Sequence, residues 1–442
     1  MINRAQISTK LEELPIEQLA NESNFTIHRD NELSANGLVM GFFFMITNGD
    51  NTLSNWAIEV SKILQRVFST SAITAKLQYR HLAFIKSLLN HCLKNRFYQG
   101  EVKELSSPLL ANFSRVLVED SMCVKLPSNL ASIFPGAHCK TGQAATGRIQ
   151  CRIELKSGTT SHLEVQSYRD NDQKFAPNIL HQLRAGDLVI RDLGYWALKV
   201  FRLINWMNAF FLSRYQFGTN VYSVDNEEQV DLPAILRAAK KKGQTVVQLQ
   251  VYLGKKEKLP VRLIAIKVPQ QVEQQRRRKV AKNKDTRAKR SKEYMELLGW
   301  TIFITNVDQE VWTPQEMLKV YGFRWRIEII FKAWKSQFKF EHLFKTKQKL
   351  ALPRALITLY LLLIWIILFF VRVFNFFLLA VFQVNQKFIS ILKFAKFFKD
   401  HFVQLINLSN LNFYIELVAK HCVYDTNKKI PNFYENLYMI DY

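Results

Sequence analysis

Residues 321–335, YGFRWRIEIIFKAWK, place a phenol, two cations and a carboxylate among bulky apolar side chains. Because an α-helix turns about 100° per residue, these four groups would share an arc of roughly 60° on one helix. They are Tyr321, Arg324, Glu328 and Lys335, and the side chains opposite them are Phe323, Ile327, Ile330 and Trp334. The pattern predicts an amphipathic helix with one buried face. Its polar face is either solvated surface with ordinary ion pairs or part of an active site.

Two further carboxylates follow apolar strands and could act together with Glu328. Asp120 ends the predicted strand VLVED, and Asp192 ends LVIRD. Sites in α/β proteins commonly form where strands end, and hard ions such as Mg²⁺ or Mn²⁺ prefer carboxylate oxygens. Phosphodiester transfer needs two such ions, roughly 3.5–4 Å apart, which three carboxylates can hold. Taken singly, a strand-end aspartate is more often a turn or helix cap, and a helical glutamate beside arginines is usually an ion pair.

The elements that would position these groups change in kind along the chain. Apolar spacing predicts that residues 1–105 are helical, with a Ser69–Thr70–Ser71 cap before a second helix. That helix carries Lys76, Gln78, Tyr79 and Arg80. Such helices suit either a helix-turn-helix-like DNA reader or a plain helical bundle. Residues 106–219 contain three short strands and then strands alternating with helices, which indicates a mixed α/β sheet.

Residues 220–312 interrupt this alternation. The segments QTVVQLQVYLG, LPVRLIAIKV and WTIFITNV predict strands of an inserted β-rich subdomain. Between the last two, residues 276–292 hold ten Lys or Arg residues against the single Asp285. Such a tract is either a solvated segment or an arm that binds DNA phosphates. Its candidate DNA ligands are Arg276, Arg277, Arg278 and Lys279.

Helices are predicted for the rest of the chain. Thr313 and Glu316 predict a capping box around Pro314, and Gly322 is expected to bend or split the helix that follows. These patterns divide the chain into a helical region (1–105), two parts of a mixed α/β core (106–219 and 313–382), the β-rich insertion (220–312) and a helical C-terminal region (383–442).

The composition points to a polyanionic partner. The 442 residues carry 61 Lys and Arg against 37 Asp and Glu, a formal charge of +24 whose self-repulsion nucleic acid would relieve. The five scattered cysteines, Cys92, Cys123, Cys139, Cys151 and Cys422, contain no CxxC pair. This argues against a disulfide framework or zinc site and favours a reducing cytoplasm, and the N-terminus has no signal-peptide core.

One segment allows a different interpretation. Residues 355–371, ALITLYLLLIWIILFFV, contain Thr358 as their single polar residue, which is at the lower limit for a membrane span. The alternative is a helix buried in a large soluble core. A single span after about 350 basic, soluble-looking residues would be unusual, so we expect no membrane association.

The segment YGFRWRIEIIFKAWK resembles the signature of bacterial transposases of the "insertion sequence four" family. The family pattern of Tyr, two residues, Arg, three, Glu, six and Lys is matched without a gap. The blocks around Asp120 (EDS, then LP) and Asp192 (RDLGY) resemble the two aspartate blocks of that family, and LSRYQF fits the segment after the second. The resemblance covers roughly residues 25–375, and the 135 residues between Asp192 and Glu328 leave room for an insertion.

The resemblance implies an α/β fold with a ribonuclease-H-like core and a β-rich insertion. It implies that Asp120, Asp192 and Glu328 hold two Mg²⁺ or Mn²⁺ ions for cut-and-paste DNA transposition, with a hairpin intermediate. Arg324 and Lys335 would then hold backbone phosphates, and Tyr321 would contact a phosphate or sugar. Further expected DNA ligands are Arg214 of LSRYQF and Trp300 or Trp312, which would stack on an unpaired base.

We therefore predict a metal-dependent transposase that acts as a homodimer on paired inverted repeats and target DNA. Its expected location is the bacterial cytoplasm, at the nucleoid. Two rivals are a DNA-binding transposase relic without catalysis and a membrane-anchored basic protein. Retention of all three carboxylates argues against the relic, and only residues 355–371 favour the membrane anchor.

Overall fold

The computed structural model describes most of the 442-residue chain. The described ranges are residues 14–25, 33–49, 51–94, 107–139, 142–283, 291–338, 352–367, 372–407, 410–425 and 432–438. Part of the basic tract, residues 284–290, and the end of the apolar segment, residues 368–371, lie outside them, as does the N-terminal stretch considered for a signal peptide.

Within these ranges, ten strands form one mixed sheet. They are β1 (Val116–Leu126), β2 (Pro135–Cys139), β3 (Gly142–Glu154), β4 (Thr159–Ser167), β5 (Leu188–Arg191), β6 (Phe210–Arg214), β7 (Val221–Ser223), β8 (Val246–Leu253), β9 (Leu259–Lys267) and β10 (Trp300–Thr305). The order across the sheet is β2-β3-β1-β5-β6-β10-β9-β8-β7, and β4 pairs with β3. The central strands β1, β5 and β6 are parallel and the other pairings are antiparallel.

Helices surround the sheet. In the described part of the chain they are α1 (Ile16–Glu22), α2 (Ala35–Asn48), α3 (Leu53–Leu64), α4 (Thr70–Lys76), α5 (Leu82–Lys94), α6 (Asp172–Phe175), α7 (Leu198–Trp206), α8 (Leu232–Lys241), α9 (Gln270–Lys282), α10 (Lys292–Leu297), α11 (Pro314–Gly322), α12 (Trp325–Ser336), α13 (Leu352–Trp365), α14 (Arg372–Asn385), α15 (Ile391–Asp400), α16 (Phe402–Asn407), α17 (Leu411–His421) and α18 (Phe433–Tyr438). The mixed α/β architecture predicted from the sequence is confirmed.

Both faces of the sheet are covered, because alternate residues of a strand point to opposite sides. Val118 of β1 and Ile190 of β5 belong to one core, shared with the N-terminal helices and with α12 to α15. Leu117 and Val189 belong to a second core, shared with α7 and α8. Parallel strands buried on both faces read as continuous apolar runs, which is why LVIR of β5 is buried at every position.

The strands expected in a separate β-rich insertion instead extend the central sheet. β10 pairs with β6 at Phe303↔Arg214 and with β9 at Phe303↔Ile264. β9 in turn pairs with β8, and β8 with β7. Segments that are far apart along the chain are therefore hydrogen-bonded into one layer, which period-two patterning alone does not specify.

The N-terminal region is helical as predicted, but its second helix is shorter than expected. Ser69 caps α4 by accepting the amide of Ala72 at 3.3 Å. Helix α4 ends at Lys76, so Tyr79 and Arg80 lie beyond it in a 3-10 turn. Lys76 is buried, and its ammonium lies 4.9 Å from the ring centroid of Phe25, so it makes a cation–π contact inside the helical region.

The apolar segment of residues 355–371 begins as buried helix α13. Helix α13 packs on α5, and Leu362 and Ile364 are fully buried in the first core. A helix buried in a large core is apolar on all sides, which explains the sequence pattern. Among the described residues, none of the helices combines the length and the apolar character that a membrane span needs.

The helix that precedes the polar face begins and ends as predicted. Thr313 accepts the amide of Glu316 at 3.3 Å, and the Glu316 carboxylate accepts the amide of Thr313 at 2.8 Å, which completes the capping box. Helix α11 ends at Gly322 and α12 begins at Trp325, so the expected split occurs. Arg324 lies between the two helices.

Candidate active site

β1 and β5 bring the two aspartates to the same region of the sheet. These strands pair in parallel from Val116↔Leu188 to Glu119↔Arg191, so Asp120 and Asp192 each follow the last pair. Asp192 follows the end of β5, as predicted. Asp120 does not end its strand, contrary to the prediction, because β1 continues to Leu126 along its antiparallel partner β3.

The break between α11 and α12 places a buried arginine among the acidic groups. Arg324 is 8% exposed, and its Nη1 donates to Oδ2 of Asp120 at 3.0 Å. Its Nη2 lies 2.6 Å from Oε1 of Glu328, one turn further along. The ring centroid of Tyr321 is 5.9 Å from the guanidinium carbon. Arg324 therefore links β1 to α12 through two ion pairs.

The charges of Asp120, Asp192 and Glu328 all affect the pKa of Arg324. Burial, aided by the charges of Asp192 and Glu328, raises the pKa of Asp120 to about 6, against the opposing effects of the Ser121 amide and Arg324. Burial lowers the pKa of Arg324, but the neighbouring phenol and the three carboxylates raise it above its ordinary value. Two of the three acids that sequence reasoning selected, Asp120 and Glu328, thus pair with one guanidinium, and the charge of Asp192 acts on it.

The oxygen donors suit a hard divalent ion, although a guanidinium lies among them. Within the ranges that the structure describes, no three His, Cys, Asp or Glu side chains are grouped so that they could hold a metal ion. At this site Arg324 occupies the space between Asp120 and Glu328. Three carboxylates match the ligand preference of Mg²⁺ and Mn²⁺, so the donor chemistry fits these ions, while in this structure the positive charge beside two of the acids is Arg324.

The remaining members of the polar face differ in exposure. Tyr321 is buried with its ring 5.0 Å from that of Phe303, and burial followed by the charge of Asp192 raises its pKa to about 12. Lys335 is exposed near the end of α12. Arg214, at the end of β6, is half-buried, and its positive charge opposes the rise in the pKa of Tyr321.

The basic tract begins as the end of helix α9, and two of its arginines are engaged by the protein. Arg276 donates to the carbonyl of Trp300 at 2.9 Å, which ties α9 to β10, and its binding of DNA stays a prediction. Arg277 pairs with Glu273 one turn earlier at 2.9 Å. The next two residues of the tract are exposed.

The tryptophans predicted to stack on a base are core residues in this structure. Trp300 is 2% exposed and Trp312 is 1% exposed, and the indole of Trp312 donates to the carbonyl of Leu109 at 2.8 Å. Sequence reasoning missed Trp325, which is 59% exposed and whose ring centroid is 5.9 Å from the Arg324 guanidinium. Its helical spacing of three residues from Glu328 was the available signal.

Comparison with known proteins identifies the family of this chain. The transposase DDE domain family matches residues 111–365, more than half of the chain and a range that contains all three carboxylates. The protein belongs to this family and is a DNA-cleaving transposase.

Among the curated proteins, its relatives are transposases of bacterial insertion sequences. It is 28% identical to the transposase for insertion sequence element IS231B of Bacillus thuringiensis subsp. berliner, over 76% of this chain and 72% of that protein. It is 24% identical to the transposase for insertion sequence element IS1151 of Clostridium perfringens, over 75% of this chain and 73% of that protein. A solved piggyBac transposase synaptic complex with hairpin DNA aligns over 97% of this chain and 84% of that one, with a TM-score of 0.43 and 10% identity.

The buried Asp120 carboxyl should make the stability of the metal-free protein depend on pH. Its pKa is about 6 when folded and 3.8 ordinarily, so the folded state holds the proton more tightly. That stabilisation is present below about pH 4 and is lost as the pH rises through about 6. As the pH rises from about 4 to about 6, wild type loses this stabilisation and Asp120→Asn does not. The free energy of unfolding of Asp120→Asn minus that of wild type should therefore increase by about 3 kcal/mol.

Urea unfolding in the presence of a chelator, from about pH 4 to pH 7, measures this difference. The exposed carboxylate Glu310, changed to Gln, is the control and should follow wild type at every pH. A difference between Asp120→Asn and wild type that does not change with pH would contradict the prediction.

Proposed function

We propose that this transposase moves an insertion sequence by cut-and-paste, using Asp120, Asp192 and Glu328 as ligands for two Mg²⁺ or Mn²⁺ ions. The observation that supports it is that Arg324 pairs with Asp120 of β1 and Glu328 of α12, while the β1–β5 ladder ends immediately before Asp120 and Asp192. When bound, the ions supply Lewis-acid activation of the attacking oxygen and stabilise the leaving oxygen. The mixed sheet with helices on both faces also supports a ribonuclease-H-like core.

The proposed reaction consists of successive transfers at phosphorus. Water attacks one strand at the end of the element, which breaks the bond to the 3′-oxygen and releases a 3′-hydroxyl. That hydroxyl attacks the opposite strand, forming a hairpin and freeing the element. After a second water reopens the hairpin, the 3′-hydroxyl attacks target DNA. Each step exchanges one phosphodiester oxygen for another and needs no oxidant or reductant.

Arg324 has two uses in this proposal. In the absence of ions, it neutralises part of the acidic cluster through Asp120 and Glu328. When ions take over that neutralisation, the guanidinium can donate bidentately to a backbone phosphate at the cleavage point. The exposed Lys335 adds a point charge on the same helix.

We also propose that the protein acts as a homodimer on paired inverted repeats, in the bacterial cytoplasm at the nucleoid. Two ends must be cut and joined to one target, which two active sites accomplish together. The high positive charge supports binding of duplex DNA through phosphates. Recognition of the end sequence is assigned to the helical region 1–105 or to residues 220–312.

The carboxylates are tested by DNA nicking. Asp192→Asn and Glu328→Gln should retain binding to a duplex that carries the DNA bordering the coding region, yet lose Mg²⁺-dependent nicking by at least about 10³-fold, because each removes a charged ligand. Nicking is followed on a labelled duplex, with Glu310→Gln as the matched control. Because β10 runs antiparallel to β6, Glu310 follows β10 at the ends of the strands opposite to Asp192.

Nicking by either variant at the wild-type rate would remove that residue from the active site. If wild type binds the duplex but does not nick it, the alternative of a transposase that has lost catalysis is favoured.

The exposed part of the basic tract is tested by salt dependence. Arg278→Gln together with Lys279→Gln should reduce the slope of log affinity against log salt by roughly 0.9 for each phosphate that the tract no longer neutralises. The control is Arg202→Gln together with Lys199→Gln, which removes one arginine and one lysine from the exposed side of α7, outside both regions assigned to end recognition. An unchanged slope in the double variant would identify the tract as solvated surface that does not touch DNA.

We assign base stacking to Trp325 in place of Trp300. Trp325→Ala should weaken binding to a duplex with an unpaired base at the cleavage site by roughly 1–3 kcal/mol, because stacking on one aromatic ring contributes about that much. Fluorescence titration with 2-aminopurine at that base measures it. The control Trp206→Ala removes an 80% exposed tryptophan from α7, on the other face of the sheet, and should bind like wild type. Equal losses in both variants would contradict the assignment.

A further inference from the structure

A buried charge network lies behind the proposed active site, on the opposite face of the sheet. Glu119 precedes Asp120 on β1 and points to the other side, where it is 1% exposed. Its Oε1 accepts from Nε and Nη2 of Arg152 on β3, at 2.8 and 2.6 Å. Its Oε2 accepts from Nε of Arg191 on β5 at 2.6 Å. One carboxylate therefore ties together three adjacent strands.

The position of this network in the strand register is specific. Glu119↔Arg191 is the last residue pair of the parallel ladder between β1 and β5. Asp120 and Asp192 are the residues that follow this pair along the chain. The ion pair thus fixes the two strands immediately before both proposed metal ligands. A one-residue slip of β1 would place Asp120 on the opposite face of the sheet, away from Asp192.

The two arginines also anchor the segment that covers this face. Arg152 donates to Oε1 of Gln182 at 2.7 Å, and Arg191 donates to the carbonyl of Ala176 at 2.8 Å. The network is therefore held from both the sheet and the chain above it. A buried ion pair contributes little net stability compared with apolar residues of the same size, so a role in specifying geometry accounts better for its presence.

The same two strands carry a second ion pair that lacks this relation to the site. Arg115 immediately precedes the ladder on β1, and Asp187 precedes it on β5, with Nε and Nη2 of Arg115 at 2.9 and 2.5 Å from the Asp187 carboxylate. Asp187 is fully buried, as Glu119 nearly is. Four residues along a strand separate the two ion pairs by about 13 Å.

We propose that Glu119, clamped by Arg152 and Arg191, is a positioning residue that sets the register of β1 against β5 so that Asp120 and Asp192 can hold the same metal ions. This inference rests on the proposed function, in which these aspartates are metal ligands. Glu119 contacts no substrate and acts through its neighbours on the strands.

Metal affinity is the measurement that separates positioning from a general structural role. The full chain, saturated with the duplex described above, is titrated with Mn²⁺ and the free ion is followed by electron paramagnetic resonance. Asp192→Asn gives the background of ions bound elsewhere. Glu119→Gln should weaken the Asp192-dependent Mn²⁺ binding by roughly 10–100-fold, as is typical when a group that orients metal ligands is removed.

Asp187→Asn is the matched control. Both substitutions remove one buried charge from the same pair of strands, and both should lower the urea midpoint of unfolding. We expect Asp187→Asn to bind Mn²⁺ like wild type. Arg191→Lys, which keeps the cation but loses the fork of donors, should give an intermediate loss of Mn²⁺ affinity and serves if Glu119→Gln does not fold.

The failures of the two proposals are distinguishable. If Glu119→Gln binds Mn²⁺ as tightly as Asp187→Asn does, the positioning role is overturned and the metal site is left intact. If Glu119→Gln does not fold, the same comparison is made with Arg191→Lys. Identical Mn²⁺ binding by wild type and Asp192→Asn would instead overturn the proposed metal site, and the positioning role with it.

Discussion

Three carboxylates can share one site only if positive charge lies among them, because like charges a few ångströms apart disfavour each other's ionised forms. In this transposase the positive charge belongs to Arg324, 3.0 Å from Asp120 and 2.6 Å from Glu328. It is buried, so the attraction is screened less than on the surface. The arrangement of the surrounding elements follows from the need to bring this guanidinium and the three acids together.

Two features of the fold meet that need. The parallel ladder between β1 and β5 ends so that Asp120 and Asp192 emerge next to each other. Tyr321, near the end of α11, packs on Phe303 of β10, and Glu328, in the first turn of α12, pairs with the Arg324 guanidinium that also pairs with Asp120. Cores on both faces of the sheet hold the strands and helices in place, so the acidic cluster is supported by packing as well as by charge.

Local patterns predicted what local interactions determine. The four-residue spacing of Arg324 and Glu328 yields their ion pair, and the capping box at Thr313 fixes the start of α11. Long-range packing decides the rest. Trp300 reads like any tryptophan beside a strand, yet its burial depends on the second core, which α7 and α8 also form. The extension of β1 past Asp120 and the joining of β10 to β6 likewise depend on partners distant in sequence.

Under the proposed function, the net charge of the site couples the binding of the metal ions to the binding of DNA. Ionised Asp120, Asp192 and Glu328 with one guanidinium leave two negative charges, which repel the phosphates of an approaching strand. Two divalent ions would convert these into two positive charges, which are costly to hold in a buried site without an anion beside them. DNA phosphates are that anion, and the released Arg324 guanidinium is one of their donors. Each ligand therefore favours binding of the other by the same factor, as linkage requires, and cleavage is restricted to the state in which DNA and ions are both bound.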